Sequence, residues 1–264
     1  MSPASPLPCL GPARDTCDAV GVMNHPSPLL SPACRRPLDA DTLRTSLRPL
    51  VGGRGVYLLN SKAGSASVIR SLWTNAVAAG EVSAPDPPTD PHAWQAPLWI
   101  PGWPRETGRA LIFTIVRNPF ARVPSCYLDR IRLGADGRPR NETGRLFRVL
   151  ADLPPDAEVS LATFLSVIAR LDAADDDVHW RPQVENVLAG RVRPDRVGAL
   201  ERFRADMTGI LTALYGPQAR PPAAVQGHRT DASASLAASF GPPGNRARAR
   251  QVRRRFRSLR VRAR

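Results

Sequence analysis

Two short apolar segments, each followed by a polar loop and a helical pattern, constrain the fold of this chain more than any other feature. Residues 56–60 (VYLLN) and 111–116 (LIFTIV) have the length and apolar character of buried strands. Apolar side chains then recur at helical spacing over residues 65–79, and Gly80 stands where such a helix would stop. Strands that alternate with helices predict an α/β fold, which we expect to have three layers around a central parallel sheet.

Further patterns extend this alternation toward the C-terminus. Pro119 suits the first turn of a helix that can continue over residues 121–133, although Pro124 should kink this helix or delay its start. Two more helices are predicted at residues 160–171 and 202–215, with a short strand between them at residues 196–200.

The basic charge of the chain is concentrated at its C-terminal end. The chain has 37 basic and 23 acidic residues, a net charge of +14, and residues 245–264 contain ten arginines and no acidic residue. This segment has little aromatic content and no folded nucleic-acid motif around it, so it does not predict specific nucleic-acid binding. A solvated tail is expected, and a polyanion-binding arm is the alternative. We therefore divide the chain into a Pro-rich flexible leader (1–45), an α/β domain (46–240) and a disordered Arg-rich tail (241–264).

Several classes of protein are disfavoured by what the sequence lacks. The four cysteines have no metal-ligand spacing, and three of them fall in the Pro-rich leader, so neither a zinc site nor a disulfide framework is expected. No segment approaches the ~18 apolar residues of a membrane helix, and the first 30 residues lack a basic start and an apolar core. We expect a cytoplasmic protein without a transmembrane segment, and association with a membrane surface is left open.

The loop after the first strand, residues 60–67 (NSKAGSAS), has the composition of an anion-binding loop. Gly64 permits close approach of the backbone, and the amides of the first helical turn would point at a ligand. Ser65 and Ser67 add hydroxyl donors, and Lys62, the only lysine of the chain, adds a compact charge. The loop lacks the Gly-x-x-x-x-Gly-Lys-Ser/Thr pattern of nucleotide triphosphatases, so an ordinary capped helix after a glycine turn is the alternative.

A second strand-to-helix segment, residues 113–127 (FTIVRNPFARVPSCY), supplies more cationic groups. Arg117 leaves the end of the strand, and Ser125 lies further along the predicted helix. Ligands of parallel sheets gather at the carboxyl ends of the strands, so both loops can face one crevice and hold two anionic groups of one molecule. An arginine fork suits a phosphate that is held and not transformed. Surface ion pairs on a helix are the alternative for this segment alone.

Together the two segments resemble the PAPS-dependent sulfotransferases, most closely the carbohydrate sulfotransferase branch known as sulfotransferase family 2. The Arg-x-Pro-x-x-Arg-x-x-Ser-x-Tyr pattern of that family is complete here, as Arg117, Pro119, Arg122, Ser125 and Tyr127. Its Lys-x-Gly-Ser loop is nearly complete, with Ala66 where Thr or Ser is common. Residues 177–183 (DVHWRPQ) look like its His-Trp segment, and residues 197–201 (VGALE) look like its Gly-x-x-Glu segment. The resemblance covers roughly residues 55–231 and implies a P-loop-like fold with a strand-loop-helix element for the phosphosulfate.

The resemblance implies transfer of a sulfuryl group from PAPS, 3'-phosphoadenosine 5'-phosphosulfate, to a hydroxyl of a glycan or another acceptor. Lys62 would contact the bridging oxygen, where charge develops as the bond to sulfur breaks. The 5'-phosphate would be held by the residues that follow Lys62, namely Ala63, Gly64, Ser65, Ala66 and Ser67. Arg117 and Ser125 would hold the 3'-phosphate, and no metal is needed.

The general base has several candidates. His92 lies in the long loop between the two donor-binding segments, where acceptor-side residues are expected, and it is the first choice. His179 matches a family segment but precedes a tryptophan and has a structural alternative. Glu201 is a more remote candidate that is expected to orient the core. The same loop as His92 contains Trp94, Trp99 and Trp103, which could stack on sugar rings or pack the loop onto the domain.

Two features depart from the family pattern, and two other functions compete. Pro124 stands directly before the motif serine and could displace Ser125. After about residue 231 the chain continues into Gly-Pro-Pro-Gly and arginines, so we hypothesise a frameshifted or decayed C-terminal end. An inactive family member that binds polyanions is the alternative function. A phosphoryl-transfer enzyme is disfavoured, because a Lys-Ser/Thr pair and an obvious magnesium-binding aspartate after a strand are lacking.

Overall fold

A four-stranded sheet is the centre of the computed structural model, which describes residues 40–83, 98–99, 110–172 and 176–223. The strands are β1 (Leu47–Pro49), β2 (Gly55–Leu58), β3 (Leu111–Val116) and β4 (Arg196–Ala199), and they lie in the order β1-β2-β3-β4. β1 is antiparallel to β2, whereas the β2–β3 and β3–β4 pairs are parallel. The predicted α/β class is therefore confirmed, but the sheet, which was predicted to be parallel, is only mostly parallel because β1 is antiparallel to β2.

Helices connect the strands and cover the sheet. They are α1 (Ala40–Ser46), α2 (Ser65–Ala78), α3 (Pro119–Cys126), α4 (Glu142–Leu150), α5 (Leu161–Ile168), α6 (Gln183–Asn186) and α7 (Phe203–Tyr215). A π-helical turn, Tyr127–Ile131, follows α3, and a 3-10 turn, Leu200–Arg202, precedes α7. In the ranges that the structure describes, no helix combines the length and the apolar character needed to cross a membrane.

Apolar side chains cover both faces of the sheet. On one face, Tyr57 of β2 stacks on Phe113 of β3 with ring centroids 5.4 Å apart, and apolar residues of α2 and α7 pack over this pair. On the other face, Val56 and Leu58 pack against Val187, Leu188 and Val192, which follow α6. These alternating strand side chains are the period-2 pattern of a sheet buried on both sides. The shared burial keeps β2 and β3 in one register, so their carboxyl ends lie at the same edge.

The start of α3 follows the sequence prediction, and of the two expected effects of Pro124, a kink or a delayed start, the delay is wrong. Asn118 caps the helix by accepting a hydrogen bond from the Phe120 amide at 2.9 Å, and Pro119 occupies the first turn. Pro124 lies inside the helix and does not delay its start. Proline lacks the amide hydrogen that would bond back to Phe120, and the regular helix gives way to the wide π turn from Tyr127 onward.

A separate apolar cluster anchors the segment that follows α5. Trp180 meets Phe147 and Phe164 edge to face, and the two phenylalanines are tilted toward each other, with all three centroid distances at 5.3–6.0 Å. The indole nitrogen of Trp180 also donates to Asp176 Oδ1 at 3.1 Å. The tryptophan of the His-Trp segment is thus a buried anchor, and it fixes the position of the residues on either side of it.

Candidate functional site

The loop between β2 and α2 has an unusual backbone. Lys62 has a φ of +64° and Gly64 has a φ of +79°, both in the left-handed region. A non-glycine residue in this region is uncommon, and such residues cluster at functional sites. A Cβ atom at Gly64 would lie 2.5 Å from Cδ1 of Leu200, so the glycine is required by the packing of the loop against the turn after β4 as well as by its φ. The sequence predicts that Gly64 allows close approach of a ligand, whereas a Cβ added at this position would face Leu200 of the protein itself.

The N-terminus of α2 is an exposed positive end of a helix dipole. Gly64 occupies the cap position and provides no side-chain hydrogen bond to the first turn. Ser65, Ala66 and Ser67 are partly exposed there, while Ala63 is buried. Amides of a first helical turn that no side chain caps are suited to an anion. The predicted binding of a 5'-phosphate by residues 63–67 stays a prediction.

Arg117 reaches the same loop from the end of β3. Its Nη1 donates to the backbone carbonyl of Lys62 at 3.2 Å. Burial lowers the pKa of Arg117, and the nearby Glu201 carboxylate partly opposes this effect. The structure therefore brings together Lys62 and Arg117, two of the residues predicted to bind the donor, although 55 positions separate them.

Gln183 holds the backbone of Arg117 in place. The Arg117 amide donates to Gln183 Oε1 at 2.9 Å, and Gln183 Nε2 donates to the Arg117 carbonyl at 2.8 Å. Asn60 Nδ2 donates to the same Gln183 oxygen at 2.8 Å and to the Ile115 carbonyl at 3.0 Å. The carboxyl ends of β2 and β3 are thus joined by buried amide side chains, and Gln183 has a positioning role that the sequence did not assign.

Arg122 is almost fully buried and joins two segments of the site. Its Nε donates to the Ser61 carbonyl at 2.8 Å, Nη1 to the Arg181 carbonyl at 2.8 Å, and Nη2 to the Val178 carbonyl at 3.1 Å. Burial lowers the pKa of Arg122 to about 10, so the guanidinium is still charged at neutral pH. This arginine fixes the loop between β2 and α2 against residues 178–181 and so holds the His-Trp segment beside that loop.

An aspartate that the sequence did not single out contacts the predicted catalytic lysine. Nζ of Lys62 lies 2.8 Å from Oδ2 of Asp129, and the same oxygen lies 2.9 Å from Nε of Arg130. The side chain of Lys62 is 16% exposed. Asp129 stands in the π turn after α3, two residues beyond Tyr127 of the family pattern. That spacing from a recognised motif is the signal that could have identified it.

Ser125 lies in the last turn of α3 and is buried, with 3% of its surface exposed. The thiol of the next residue, Cys126, is also buried, and burial raises its pKa to about 12. Cys126 is therefore a neutral packing residue at physiological pH. Ser125, predicted to bind the 3'-phosphate, has little exposure to solvent in this structure.

His179 and Asp177 form a close pair. Nδ1 of His179 lies 2.6 Å from Oδ1 of Asp177, which also accepts the His179 backbone amide at 2.9 Å. Burial by itself raises the pKa of Asp177, but the hydrogen bonds from the side chain and the amide of His179 outweigh this and lower the pKa overall. An ionised Asp177 makes Nδ1 the donor, which leaves Nε2 of His179 as a proton acceptor.

Glu201 has a structural contact. Its Oε1 accepts the backbone amide of Asn118 at 2.8 Å, which links the turn after β4 to the start of α3. This contact agrees with the expectation that Glu201 orients the core. Within the described ranges, no group of three or more His, Cys, Asp or Glu side chains could hold a metal ion.

Several predicted features lie outside the described residues. These are His92, Trp94, Trp103 and the Arg-rich tail at residues 241–264. Trp99 is described, and it is buried, with its backbone bridged to Leu50 and its side chain in the apolar cluster around α2. For this one of the three loop tryptophans, packing is the observed role.

Comparison with known proteins identifies one family. The family model described as "Sulfotransferase family" matches residues 102–254, which is more than half of the chain. The match includes Arg117, Ser125 and His179, and it extends into the Arg-rich tail. The loop that contains Lys62 precedes the matched residues. No curated protein and no solved structure matches the chain.

Proposed function

Because the chain belongs to the sulfotransferase family, we propose that it moves a sulfuryl group from PAPS to a hydroxyl of a carbohydrate-type acceptor by in-line transfer. The observation that carries this proposal is the hydrogen bond from Arg117 Nη1 to the Lys62 carbonyl. This bond joins Arg117, which lies within the residues matched by the family model, to the loop of residues 60–67 that precedes them. We call residues 60–67 the lysine loop. Two cationic side chains at one edge of a parallel sheet suit a donor that has anionic groups at both ends.

The surroundings of Lys62 fit the phosphosulfate end of such a donor. The helix dipole favours an anion beside the loop, and the cap residue Gly64 has no side chain that would occupy this end of α2. When bound, PAPS supplies an activated sulfuryl group with a nucleotide bisphosphate as its leaving group. The Lys62 ammonium would neutralise the charge that develops on the bridging oxygen, and residues 63–67 would hold the 5'-phosphate.

Arg117 is assigned to the 3'-phosphate. Its backbone is held by Gln183 on both its amide and its carbonyl side, so its side chain projects from a fixed point. A pre-organised guanidinium forms paired hydrogen bonds to phosphate at little entropic cost. Ser125, from the last turn of α3, is proposed to complete this contact.

His179 is proposed as the base that removes the proton from the acceptor hydroxyl. Its pairing with Asp177 leaves Nε2 as the acceptor and stabilises the imidazolium that forms on proton transfer. Arg122 holds residues 178–181 next to the lysine loop. His179 therefore lies near the proposed site of the donor, which supports its role as the base over a purely structural one. His92 stays a second candidate, and turnover of His92→Gln and His179→Gln separates the two. The base is the histidine whose loss removes turnover and leaves binding of the nucleotide product intact.

We further propose a P-loop-like, three-layer arrangement for the domain. The packing of α2 and α7 on one face of the sheet and of residues 187–192 on the other supports this view. A carbohydrate-type acceptor is proposed from the resemblance of the sequence to the carbohydrate branch of the family.

The first test is thermal stabilisation by adenosine 3',5'-bisphosphate, the product that PAPS leaves. We expect the wild-type protein to be stabilised, Lys62→Ala and Arg117→Ala to lose most of the shift, and the exposed control Arg145→Ala to keep it. Transfer of labelled sulfate from PAPS to a panel of glycans then identifies the acceptor class. A wild-type protein that the bisphosphate does not stabilise would refute the proposed donor. Stabilisation without transfer to any member of the panel would favour the inactive, polyanion-binding alternative.

A further inference from the structure

Lys62 forms an ion pair with Asp129, with 2.8 Å between Nζ and Oδ2. We propose that Asp129 is a positioning residue for sulfuryl transfer, which fixes the ammonium of Lys62 in the orientation that the reaction requires. This inference rests on the proposed function, because it assigns Asp129 a role through Lys62 and not a contact with the donor.

The backbone of Lys62 is already held, so the position of its ammonium depends on the end of the side chain. The residue has a left-handed φ of +64°, and Arg117 donates to its carbonyl. The four-carbon side chain that follows has several rotatable bonds and could place its charge in many directions. The contact of 2.8 Å with Asp129 Oδ2 selects one of them.

The Asp129 carboxylate is itself fixed in position. It stands in the π turn after α3, where its backbone carbonyl accepts Asn141 Nδ2 at 3.3 Å. The same Oδ2 that contacts Lys62 lies 2.9 Å from Nε of Arg130. In the described part of the chain Arg130 Nε makes no hydrogen bond, so its attraction to this oxygen is electrostatic. The hydrogen bond from Lys62 Nζ therefore joins the loop after β2 to the π turn through this carboxylate.

The pair does not need to break when an anion arrives. An ammonium has three N–H donors, and one of them is directed to Asp129. As far as the described residues show, two donors are left for the oxygens of a phosphosulfate. The carboxylate also offsets the repulsion between Lys62 and the two guanidinium groups that donate to the same loop, those of Arg117 and Arg122.

The test compares Asp129→Asn with the matched control Glu142→Gln. Both variants replace a carboxylate by its amide, but Glu142 is exposed and pairs with the exposed Arg145 at 2.8 Å. We expect Asp129→Asn to lower kcat by about 10- to 100-fold, the range that follows from a misplaced catalytic group. The affinity for adenosine 3',5'-bisphosphate should stay within about threefold, since Arg117 and the helix amides are retained. Glu142→Gln should match the wild type in both measurements, and Asp129→Glu, which keeps the charge, should recover part of the lost kcat.

A second measurement reads the lysine directly and does not depend on turnover. Lys62 is the only lysine of the chain, so protein labelled with nitrogen-15 lysine gives a single side-chain ammonium signal. We expect Asp129→Asn to shift this signal. The variant should also speed the reaction of Lys62 with a small acylating reagent, and mass spectrometry measures the rate of that reaction. Glu142→Gln should change neither quantity.

The possible results separate failure of this inference from failure of the proposed function. A wild-type protein that neither binds the bisphosphate nor transfers sulfate contradicts the function, whereas the lysine signal still tests the Asp129 contact. An unchanged Lys62 signal in Asp129→Asn overturns the inference. It is also overturned if kcat stays within twofold of the wild type, or if bisphosphate affinity falls as far as kcat, which would indicate a general structural role.

Discussion

Replacing Arg122 by methionine tests how the site is held together. Methionine keeps much of the apolar length of the side chain but has no hydrogen-bond donors. The change therefore removes the bonds to the carbonyls of Ser61, Arg181 and Val178 at a position where only 2% of the arginine is exposed. We expect both the stability of the fold and the affinity for adenosine 3',5'-bisphosphate to fall.

The structure sets the size of the loss. The Val178 carbonyl also accepts Asn186 Nδ2 at 2.9 Å, so the variant leaves two carbonyls, those of Ser61 and Arg181, without their partner from Arg122. A buried acceptor left unsatisfied costs about 1–3 kcal/mol. Removal of a buried guanidinium acts in the opposite sense, because its desolvation cost disappears. We therefore expect a net loss of about 2–4 kcal/mol in the free energy of unfolding, or a fall in Tm of roughly 5–12 °C for a domain of this size.

A second buried arginine provides a matched control. Arg148 is 1% exposed and donates to the carbonyls of Gly144, Ile131 and Ala157 in the cluster around α4, away from the lysine loop. Arg148→Met should lose a similar free energy of unfolding, measured by urea denaturation, but should keep the wild-type affinity for the bisphosphate at a temperature where both variants are folded. A loss below about 1 kcal/mol in Arg122→Met would refute the energetic reasoning. Equal loss of affinity in both variants would refute a specific role of Arg122 in positioning the loop.

Three further predictions concern the loop and the His-Trp segment. Gly64→Ala should lower the free energy of unfolding by at least about 1–2 kcal/mol, because φ is +79° and the new Cβ would meet Leu200. Chemical denaturation measures this loss, and a midpoint equal to that of the wild type would contradict it. Lys62→Arg should abolish sulfate transfer, because a planar guanidinium replaces a compact ammonium. The circular dichroism spectrum should stay unchanged, and near-normal turnover would contradict the role assigned to Lys62. The pKa of Asp177 is lower in the folded protein than in the unfolded chain, so its contribution to stability is complete above about pH 4 and is lost as the pH falls below that value. Asp177→Asn should therefore show a shallower loss of stability between about pH 4 and pH 2 than the wild type, and an equal slope would count against this account.

The elements with strong local signals are those that the sequence predicted well. The helix expected over residues 65–79 is α2, Ser65–Ala78, and the strand expected over residues 111–116 is β3, Leu111–Val116. Both have long apolar patterns and clear end signals, which specify local structure without reference to the rest of the chain. β4 and α7 were also located to within about two residues for the same reason.

The elements that were missed lack such signals. β1, Leu47–Pro49, has only three residues and ends in a proline, and it forms because β2 offers it an antiparallel partner. α4, Glu142–Leu150, has an inverted pattern, with Val149 75% exposed and Arg148 buried. Its stability depends on Asn141, which caps it by accepting the Gly144 amide at 3.1 Å, and on carbonyls from other segments that bind Arg148. Its apolar residues Leu146, Val149 and Leu150 recur at helical spacing but are exposed, so hydrophobic periodicity assigns this helix the wrong buried face.

The same distinction applies to the site: residues in local motifs could be predicted from the sequence, and their distant partners could not. Lys62 and Arg117 belong to strand-to-helix loops that are visible in the sequence, but their partners Asp129 and Gln183 lie 67 and 66 positions away from them. Such pairings arise only when β2 and β3 are aligned and α3 lies beside the lysine loop. An aspartate or a glutamine in isolation has no pattern that distinguishes it from a solvated residue.

The contacts also explain why one basic residue of this arginine-rich chain is a lysine. Arg117 and Arg122 both use guanidinium N–H groups to bind backbone carbonyls in fixed directions, a task that suits a planar fork with several donors. Lys62 instead ends in an ion pair with Asp129, at the open end of a helix, where a small charge with rotatable donors can bind a carboxylate and an anion together. A guanidinium in that place would be wider than the ammonium and would direct its donors in a plane. Arg122 thus builds the frame of the site, whereas under the proposed function Arg117 and Lys62 are the cations that meet the donor.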